Sequence, residues 1–272
     1  MKRPPPSREP RRPFTAWDPV ARWYDALVGE EGSEYHRKLV MPGALRLLDL
    51  RPGERVLDLA CGQGVFCRLL QKAPVHVTGV DASEELVHLA RRRSSKHITY
   101  LVGDARRLEE LPSESFDAMA CLLAIQNIDP VEPVFDTCAR LLRPGGRLVL
   151  VLTHPCFRVA RQSGWGWDEE RELQYRRVDR YATPLKVPIQ IHPGSQPRRV
   201  TWTFHRPLQT YVQGLVRAGM WVDVLEEWAS HKASQPGPRA NAENLARQEI
   251  PLFLALRAVK VSPHLREPPP DR

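Results

Sequence analysis

Two glycines stand directly after a short apolar run, where they can form a turn that holds a ligand. Residues 56–64 read Val-Leu-Asp-Leu-Ala-Cys-Gly-Gln-Gly, and the glycines are Gly62 and Gly64. Glycine adopts backbone angles that other residues resist, and its lack of a Cβ lets a ligand approach the main chain. The dinucleotide fingerprint requires Gly or Ala three residues later, where this chain has Cys67. The segment therefore indicates a cofactor turn of a different type.

Carboxylates follow the next two apolar runs. Asp81 lies 17 residues beyond Gly64, near the spacing expected for a residue that binds ribose, and a carboxylate there can accept hydrogen bonds from both hydroxyls. Asp104 follows the next run, where it can accept a hydrogen bond from an adenine amino group. Taken singly, Asp58 can simply cap the glycine turn and Asp81 can simply cap a helix. Taken together, these residues favour a cofactor site.

Two long segments, residues 154–200 and 229–250, carry aromatic and polar residues and leave predicted strands at their carboxyl ends, where ligands of parallel sheets bind. His154 stands at the root of the first segment, where it can take a proton from a nucleophile, and is the predicted catalytic residue. The predicted substrate residues are Gln126, Trp165, Trp167 and His231. A small subdomain that packs its own aromatic residues is the alternative interpretation.

An alternation of strands and helices must position these residues. Apolar runs predict strands at residues 55–60, 75–80, 98–102, 116–121, 147–152, 221–225 and 252–259. Helices are predicted near residues 65–71, 83–92, 131–142 and 207–218, and residues 17–50 predict two more. This order predicts a mostly parallel sheet covered by helices.

The ends of the chain differ from its middle. Residues 1–13 and 263–272 are rich in Pro and Arg and are expected to be disordered tails. Residues 14–262 predict a single domain with an N-terminal helical cap at 14–50 and a substrate-side insertion at 154–205. These boundaries place the insertion directly after the fifth strand.

Composition narrows the class of protein. Hydrophobic residues make up 42% of the chain, but no apolar run reaches the roughly 20 residues of a membrane span, and no signal peptide is evident, so a cytoplasmic protein is expected. The five cysteines have no zinc-type spacing, so no metal site is predicted. The net charge of +8 leaves a nucleic-acid partner open, although cations at Arg91, Arg92 and Arg93 complement the dipole of a predicted helix.

In order and spacing, the segments around residues 56–64, Asp81, Asp104, 116–127 and 141–146 resemble the motif series of class I S-adenosylmethionine-dependent methyltransferases. The stretch Trp23-Tyr24-Asp25 resembles the helix that closes over the cofactor in the ubiquinone and menaquinone methyltransferase branch. The resemblance implies a Rossmann-like α/β fold with a seven-stranded, mostly parallel sheet, an antiparallel last strand and helices on both faces.

The resemblance also implies a cofactor, S-adenosylmethionine, and a role for each motif. Residues Asp58 to Gly64, including Ala60, Cys61 and Gly62, would wrap the methionine part, and Tyr24 would close over it. Asp81 would bind the ribose, Ala82 would pack on the adenine, and Asp104 and Ala105 would flank the adenine amino group. The backbone near Cys121 and Leu122 would meet the methionine amino group.

The predicted function is methyl transfer to a small-molecule acceptor. An RNA or protein methyltransferase that uses the basic tail and insertion as a phosphate track is one alternative. A non-catalytic regulator that binds S-adenosylmethionine is another. The identity of the acceptor, the methylated atom and the oligomeric state do not follow from the sequence.

Overall fold

The computed structural model describes residues 17–189 and 200–261. The tails predicted at residues 1–13 and 263–272 therefore lie outside the described residues. The helices of the described part are α1 (Ala21–Val28), α2 (Met41–Leu48), α3 (Val65–Leu70), α4 (Glu84–Arg93), α5 (Glu132–Leu141), α6 (Leu208–Arg217) and α7 (Ala240–Glu249). Its strands are β1 (Arg55–Leu59), β2 (His76–Asp81), β3 (Thr99–Val102), β4 (Phe116–Leu122), β5 (Leu142–Thr153), β6 (Ser163–Asp168), β7 (Leu173–Val178), β8 (Leu185–Ile189), β9 (Thr201–His205), β10 (Met220–Trp228) and β11 (Phe253–Lys260).

Seven strands form the central sheet in the order β10-β11-β5-β4-β1-β2-β3. Neighbours among β1 to β5 pair in parallel, whereas β11 is antiparallel to both β5 and β10. This topology confirms the predicted Rossmann-like sheet with an antiparallel last strand. The carboxyl ends of β1, β2, β4 and β5 therefore open on one edge, where ligands of such sheets bind.

Side-chain alternation along β4 shows how the sheet buries both faces. Met119 and Cys121 belong to a core cluster that includes residues of α5 and α6, whereas Ala118 and Ala120 belong to a second cluster that includes residues of α2, α3 and α4. Successive residues of a strand point to opposite faces, so one strand contributes to both clusters. Helices cover both faces of the sheet, as predicted.

The two helices predicted before the first strand are α1 and α2, and they have different positions. Residues of α2 pack in the core cluster beneath the sheet, whereas α1 contacts α4 near the edge that carries the cofactor motifs. A π-helical stretch, His36–Val40, leads directly into α2. Of these two helices, only α1 lies where a cap over the predicted cofactor site would lie.

The segment of residues 154–205 contains two antiparallel hairpins that we did not predict. β6 pairs with β7, with Trp165 opposite Arg176, and β8 pairs with β9, with Pro188 opposite Trp202. Gly164 and Gly166 in β6 and Pro188 in β8 are residues of low strand propensity. The local composition of β6 and β8 therefore did not indicate strands, although both pair in the folded protein.

Helix α7 lies in the second long segment, residues 229–250, where no helix was predicted. Its sequence is mostly polar, and Ala246 is its only fully buried residue. A helix without an apolar stripe gives no periodic signal in the sequence. The helix contacts β7, so it connects the insertion to the sheet edge.

Within residues 17–189 and 200–261, none of the helices has both the length and the apolar composition needed to cross a bilayer.

Candidate active site

The glycine turn lies between the end of β1 and the start of α3. Ala60, Gly62 and Gly64 have backbone φ angles of 56°, 55° and 82°, in the left-handed region that favours glycine. The Cys61 amide donates to the carbonyl oxygen of Val80 at 2.9 Å, which ties the turn to β2. The chain therefore curls at the carboxyl end of β1, and the turn is held against the neighbouring strand.

Asp81 connects this turn to the end of β2. One carboxylate oxygen accepts the Gly62 amide at 2.8 Å, and the other accepts the Ser83 amide, also at 2.8 Å. Burial raises the pKa of Asp81 to about 6, and the hydrogen bonds from the two amides oppose that rise. The carboxylate is ionised at neutral pH, and each of its oxygens retains a lone pair for a further donor.

Asp58 lies deeper, within β1, where it is 2% exposed. The Cys67 thiol donates a hydrogen bond to it at 3.1 Å. Burial raises the pKa of Asp58 to about 7, and the charge of Asp81 adds to the rise. Two carboxylates therefore lie close enough to interact below the turn, a setting that favours a positively charged ligand.

Tyr24 of α1 covers the turn. A Cβ atom added at Gly62 would lie 3.2 Å from the Tyr24 ring, and Trp17 contacts that ring edge-on at a centroid distance of 5.5 Å. Burial, followed by the charges of Asp81 and Asp58, raises the pKa of the Tyr24 phenol. Tyr24 is therefore neutral at neutral pH and lies beside both carboxylates.

Two polar contacts hold α1 over α4. The Arg93 guanidinium at the end of α4 pairs with the Asp25 carboxylate through two hydrogen bonds, one of them 2.8 Å from Nη2 to Oδ2. The Ser83 hydroxyl donates to Asp18 at 2.6 Å. The cap is therefore fixed at both ends of α4, beside the Asp81 carboxylate.

The residues predicted to flank the adenine follow the ends of β2 and β3. Ala82 directly follows Asp81, and Ala105 is buried in the core. Asp104 accepts hydrogen bonds from the Arg106 guanidinium, including one of 2.6 Å from Nη2, and from the Arg106 amide at 3.0 Å. Burial opposes these bonds, but they keep the pKa of Asp104 below its usual value. Arg106, two residues further along, is a partner that we missed.

The end of β4 has an unusual backbone. Cys121 is fully buried, Leu122 is partly buried, and Leu123 has a φ of 53°, a left-handed conformation that is costly for a branched residue. Gln126 donates its side-chain amide to the Leu123 carbonyl oxygen at 2.8 Å. Its Oε1 atom is buried and has no hydrogen-bond partner among the described residues. Gln126 therefore presents an unused acceptor.

His154 has a setting that argues against the predicted catalytic role. The residue is 1% exposed. Its Nδ1 accepts the Cys156 amide at 3.2 Å, so Nε2 carries the proton and donates to Glu227 at 2.7 Å. Burial keeps the pKa of His154 below its usual value. Both ring nitrogens are occupied, so the ring has no lone pair free to take a proton.

Replacing His154 with Ala is expected to lower the free energy of unfolding by about 2–3 kcal/mol, because a buried hydrogen-bonded ring is lost. Cofactor affinity and turnover per folded molecule are expected to stay near the parent values. Urea unfolding and calorimetry measure the two effects. Normal stability combined with lost turnover would restore the proton-acceptor role.

The other predicted substrate residues, Trp165, Trp167 and His231, each contact a neighbouring side chain of the fold. The guanidinium groups of Arg158 and Arg176 both lie over the Trp165 ring, 5.0 and 5.1 Å from its centroid. Trp167 stacks under Arg239 at 4.4 Å. His231 is hydrogen-bonded to Glu34 at 3.1 Å, with its Nε2 as the contacting atom.

A cavity of about 310 Å³ lies between the carboxyl ends of β4 and β5 and the insertion. Gln126 is the only predicted substrate residue among those that line it. Its lining also includes Arg158, Ile189, Phe204, Arg206 and Tyr211. Phe204 lies in β9, which was not predicted, and Arg206 directly follows that strand. Neither was among the predicted substrate residues.

Affinity for the expected cofactor should fall as the pH drops from about 7.5 to 5.5, because protonation of Asp81 and Asp58 would remove the carboxylates predicted to hold it. Their pKa values of about 6 and 7 place the fall within this window. Calorimetric titrations with S-adenosylhomocysteine across the window measure it. The Asp81→Asn variant should give a shallower pH dependence, and an equally steep one would contradict the assignment to Asp81.

Comparison with known proteins supports a family assignment. The family described as "Methyltransferase domain" matches residues 57–150. A "Ubiquinone biosynthesis O-methyltransferase" from Xanthomonas oryzae is 33% identical over 135 residues, which cover 47% of this chain and 55% of that protein. The chain thus spans about half the length of that curated relative.

Two further proteins match over more of the chain. A "Demethylmenaquinone methyltransferase" from Beutenbergia cavernae is 32% identical over 186 residues, covering 68% of this chain and 72% of that protein. The crystal structure of an S-adenosylmethionine-dependent methyltransferase from Mesorhizobium loti is 26% identical, with a TM-score of 0.59 over 90% of this chain and 98% of that one. The chain belongs to the class I S-adenosylmethionine-dependent methyltransferase family, in the branch that resembles the quinone methyltransferases.

Proposed function

We propose that this protein transfers the methyl group of S-adenosylmethionine to a small-molecule acceptor that binds in the cavity beside Gln126. The observation that carries the proposal is the position of this cavity. It opens at the carboxyl ends of β4 and β5. The glycine turn and Asp81 lie at the ends of β1 and β2, on the same edge of the sheet.

The residues at the glycine turn fit the cofactor. Asp81 retains one lone pair on each carboxylate oxygen, which suits the two hydroxyls of a ribose. The interacting carboxylates of Asp58 and Asp81 suit the positive charge of a sulfonium or ammonium group. Tyr24 would cover the bound cofactor and exclude water, since its ring already lies against Gly62.

When bound, the cofactor would supply an electrophilic methyl group to the acceptor's nucleophilic atom, and the demethylated cofactor and the acceptor's proton would be released to solvent. The chain's own contribution is positioning in a site that excludes water. The occupied ring of His154 agrees with this division, because a well-positioned nucleophile needs no dedicated base.

A small-molecule acceptor is favoured by the names of the relatives and by the use of the basic residues. The relatives are named for ubiquinone biosynthesis and for demethylmenaquinone, which are small molecules. In the basic run at the end of α4, Arg91 donates to the Tyr100 carbonyl oxygen and Arg93 pairs with Asp25. Two cations of this run therefore have partners within the fold.

The test is a methyl-transfer assay with labelled S-adenosylmethionine against fractionated cell extract, with the product identified by mass spectrometry. Micromolar binding of S-adenosylhomocysteine, about −8 kcal/mol, should accompany labelling of a small molecule. Label that appears only in RNA or protein fractions would overturn the proposal. Binding without any turnover would favour a non-catalytic regulator.

A further inference from the structure

Arg206 presents an unused hydrogen-bond donor to the cavity. It is 7% exposed, and its Nη2 donates to the Ile128 carbonyl oxygen at 2.7 Å and to Asp129 at 2.6 Å. Burial raises the pKa of the nearby Tyr211 phenol, and both the charge of the guanidinium and a hydrogen bond from Arg206 oppose that rise. Nevertheless, Nη1 is buried and has no hydrogen-bond partner within the described part of the chain. Such orphaned buried donors are rare, and each calls for a partner.

Arg158 adds a positive charge to the same cavity. Its hydrogen bonds go to the carbonyl oxygens of Pro251 and Ile250, at 3.1 and 3.2 Å. Within residues 17–189 and 200–261, no acidic side chain pairs with Arg158 or with its neighbours Arg176 and Arg247. Burial, together with these neighbouring cations, lowers the pKa of Arg158 to about 10. The cavity therefore has an uncompensated positive charge on one wall.

Gln126 provides an acceptor on the same cavity. Its Nε2 is held by the Leu123 carbonyl oxygen, so the amide orientation is fixed and the buried Oε1 remains without a donor. An acceptor in this position is complementary to a hydroxyl group. Ile189, Phe204 and Tyr211 supply apolar and aromatic surface to the remaining wall.

We propose that the methyl acceptor is a hydroxylated aromatic carboxylate, whose carboxylate binds Arg158 and Arg206 and whose hydroxyl donates a hydrogen bond to Gln126. This inference rests on the proposed function. Arginine is suited to carboxylates because its planar donors match their two oxygens. The cavity, at about 310 Å³, has the size of a site for a small ligand.

The test titrates the three hydroxybenzoate isomers, their neutral methyl esters and benzoate into the full chain saturated with S-adenosylhomocysteine. For at least one isomer, the acid should bind the parent about tenfold more tightly than its ester, because a charge-assisted hydrogen bond is lost in the ester. Arg158→Gln should abolish this preference. Gln126→Leu should abolish the preference for that hydroxybenzoate over benzoate.

Arg176→Gln is the matched control, because Arg176 also stacks on Trp165 but does not line the cavity. It should keep the preference for the acid. The inference is overturned if no hydroxybenzoate binds the parent, if acid and ester bind equally, or if the two arginine variants behave alike. S-adenosylhomocysteine affinity is measured first: its absence from the parent would refute the proposed function, whereas normal affinity without an acid preference would refute only this inference.

Discussion

The Asp81→Ala variant is expected to bind S-adenosylhomocysteine at least tenfold more weakly than the parent. The parent carboxylate has one remaining lone pair on each oxygen for the ribose hydroxyls, and a charge-assisted hydrogen bond is worth about 1.5–3 kcal/mol. The same carboxylate accepts the Gly62 amide, so its removal also frees the glycine turn. Calorimetry measures the affinity, and thermal unfolding shows whether the variant remains folded.

Asp117→Ala is the matched control for this experiment. Asp117 lies at the amino end of β4, on the opposite edge of the sheet, and it also accepts a backbone amide, from Arg55 at 2.8 Å. Its replacement removes a similar carboxylate without touching the cofactor edge, so affinity should not change. Equal affinity losses in both variants, or none in Asp81→Ala, would mean that the ribose site has been misplaced.

The Gly64→Ala variant is expected to lose about 2–5 kcal/mol of unfolding free energy, the sum of left-handed backbone strain and overpacking. Gly64 has a φ of 82°, and an added Cβ would lie 2.4 Å from the Tyr100 hydroxyl and 3.0 Å from the Ala90 Cβ. Tyr100 is buried, and its hydroxyl is hydrogen-bonded to Ser94 at 2.9 Å, so it cannot move away freely. Urea unfolding measures the loss.

Gly53→Ala separates the two contributions. Gly53 has the same φ of 82°, but an added Cβ would meet no atom within 4 Å. It should therefore cost only the backbone strain, about 1–2 kcal/mol. The difference between the two variants reports the crowding between the glycine turn and Tyr100. If both variants lose the same amount, the turn has room that the structure does not show.

The predicted strands of the main sheet agree with the structure because each is a short apolar run bounded by turn residues, a local signal. Thus β1 and β2 lie within one residue of their predicted ends. The hairpins of the insertion and α7 gave no such signal. Their glycines, Pro188 and polar residues are disfavoured locally, and contacts with distant segments, such as that of α7 with β7, add to the pairing within each hairpin.

The cofactor residues could be predicted from the sequence by itself, because a turn and the carboxylates at consecutive strand ends have a regular spacing along the chain. Asp58, Gly62 and Asp81 are separated in sequence but converge at one sheet edge through parallel pairing of β1 and β2. The sequence therefore determined the fold class, the family resemblance and the candidate cofactor residues without any tertiary information.

Tertiary structure alone decided which polar atoms already have partners. Histidine is a residue type suited to proton transfer, yet the Nε2 of His154 is hydrogen-bonded to Glu227, which lies 73 residues away in the chain. Arg206 gave no signal, yet its buried Nη1 has no hydrogen-bond partner among the residues that the structure describes. Whether a hydrogen-bonding group is free depends on residues that are distant in the chain. Such residues come within hydrogen-bond distance only when the sheet, the insertion and the cap pack together.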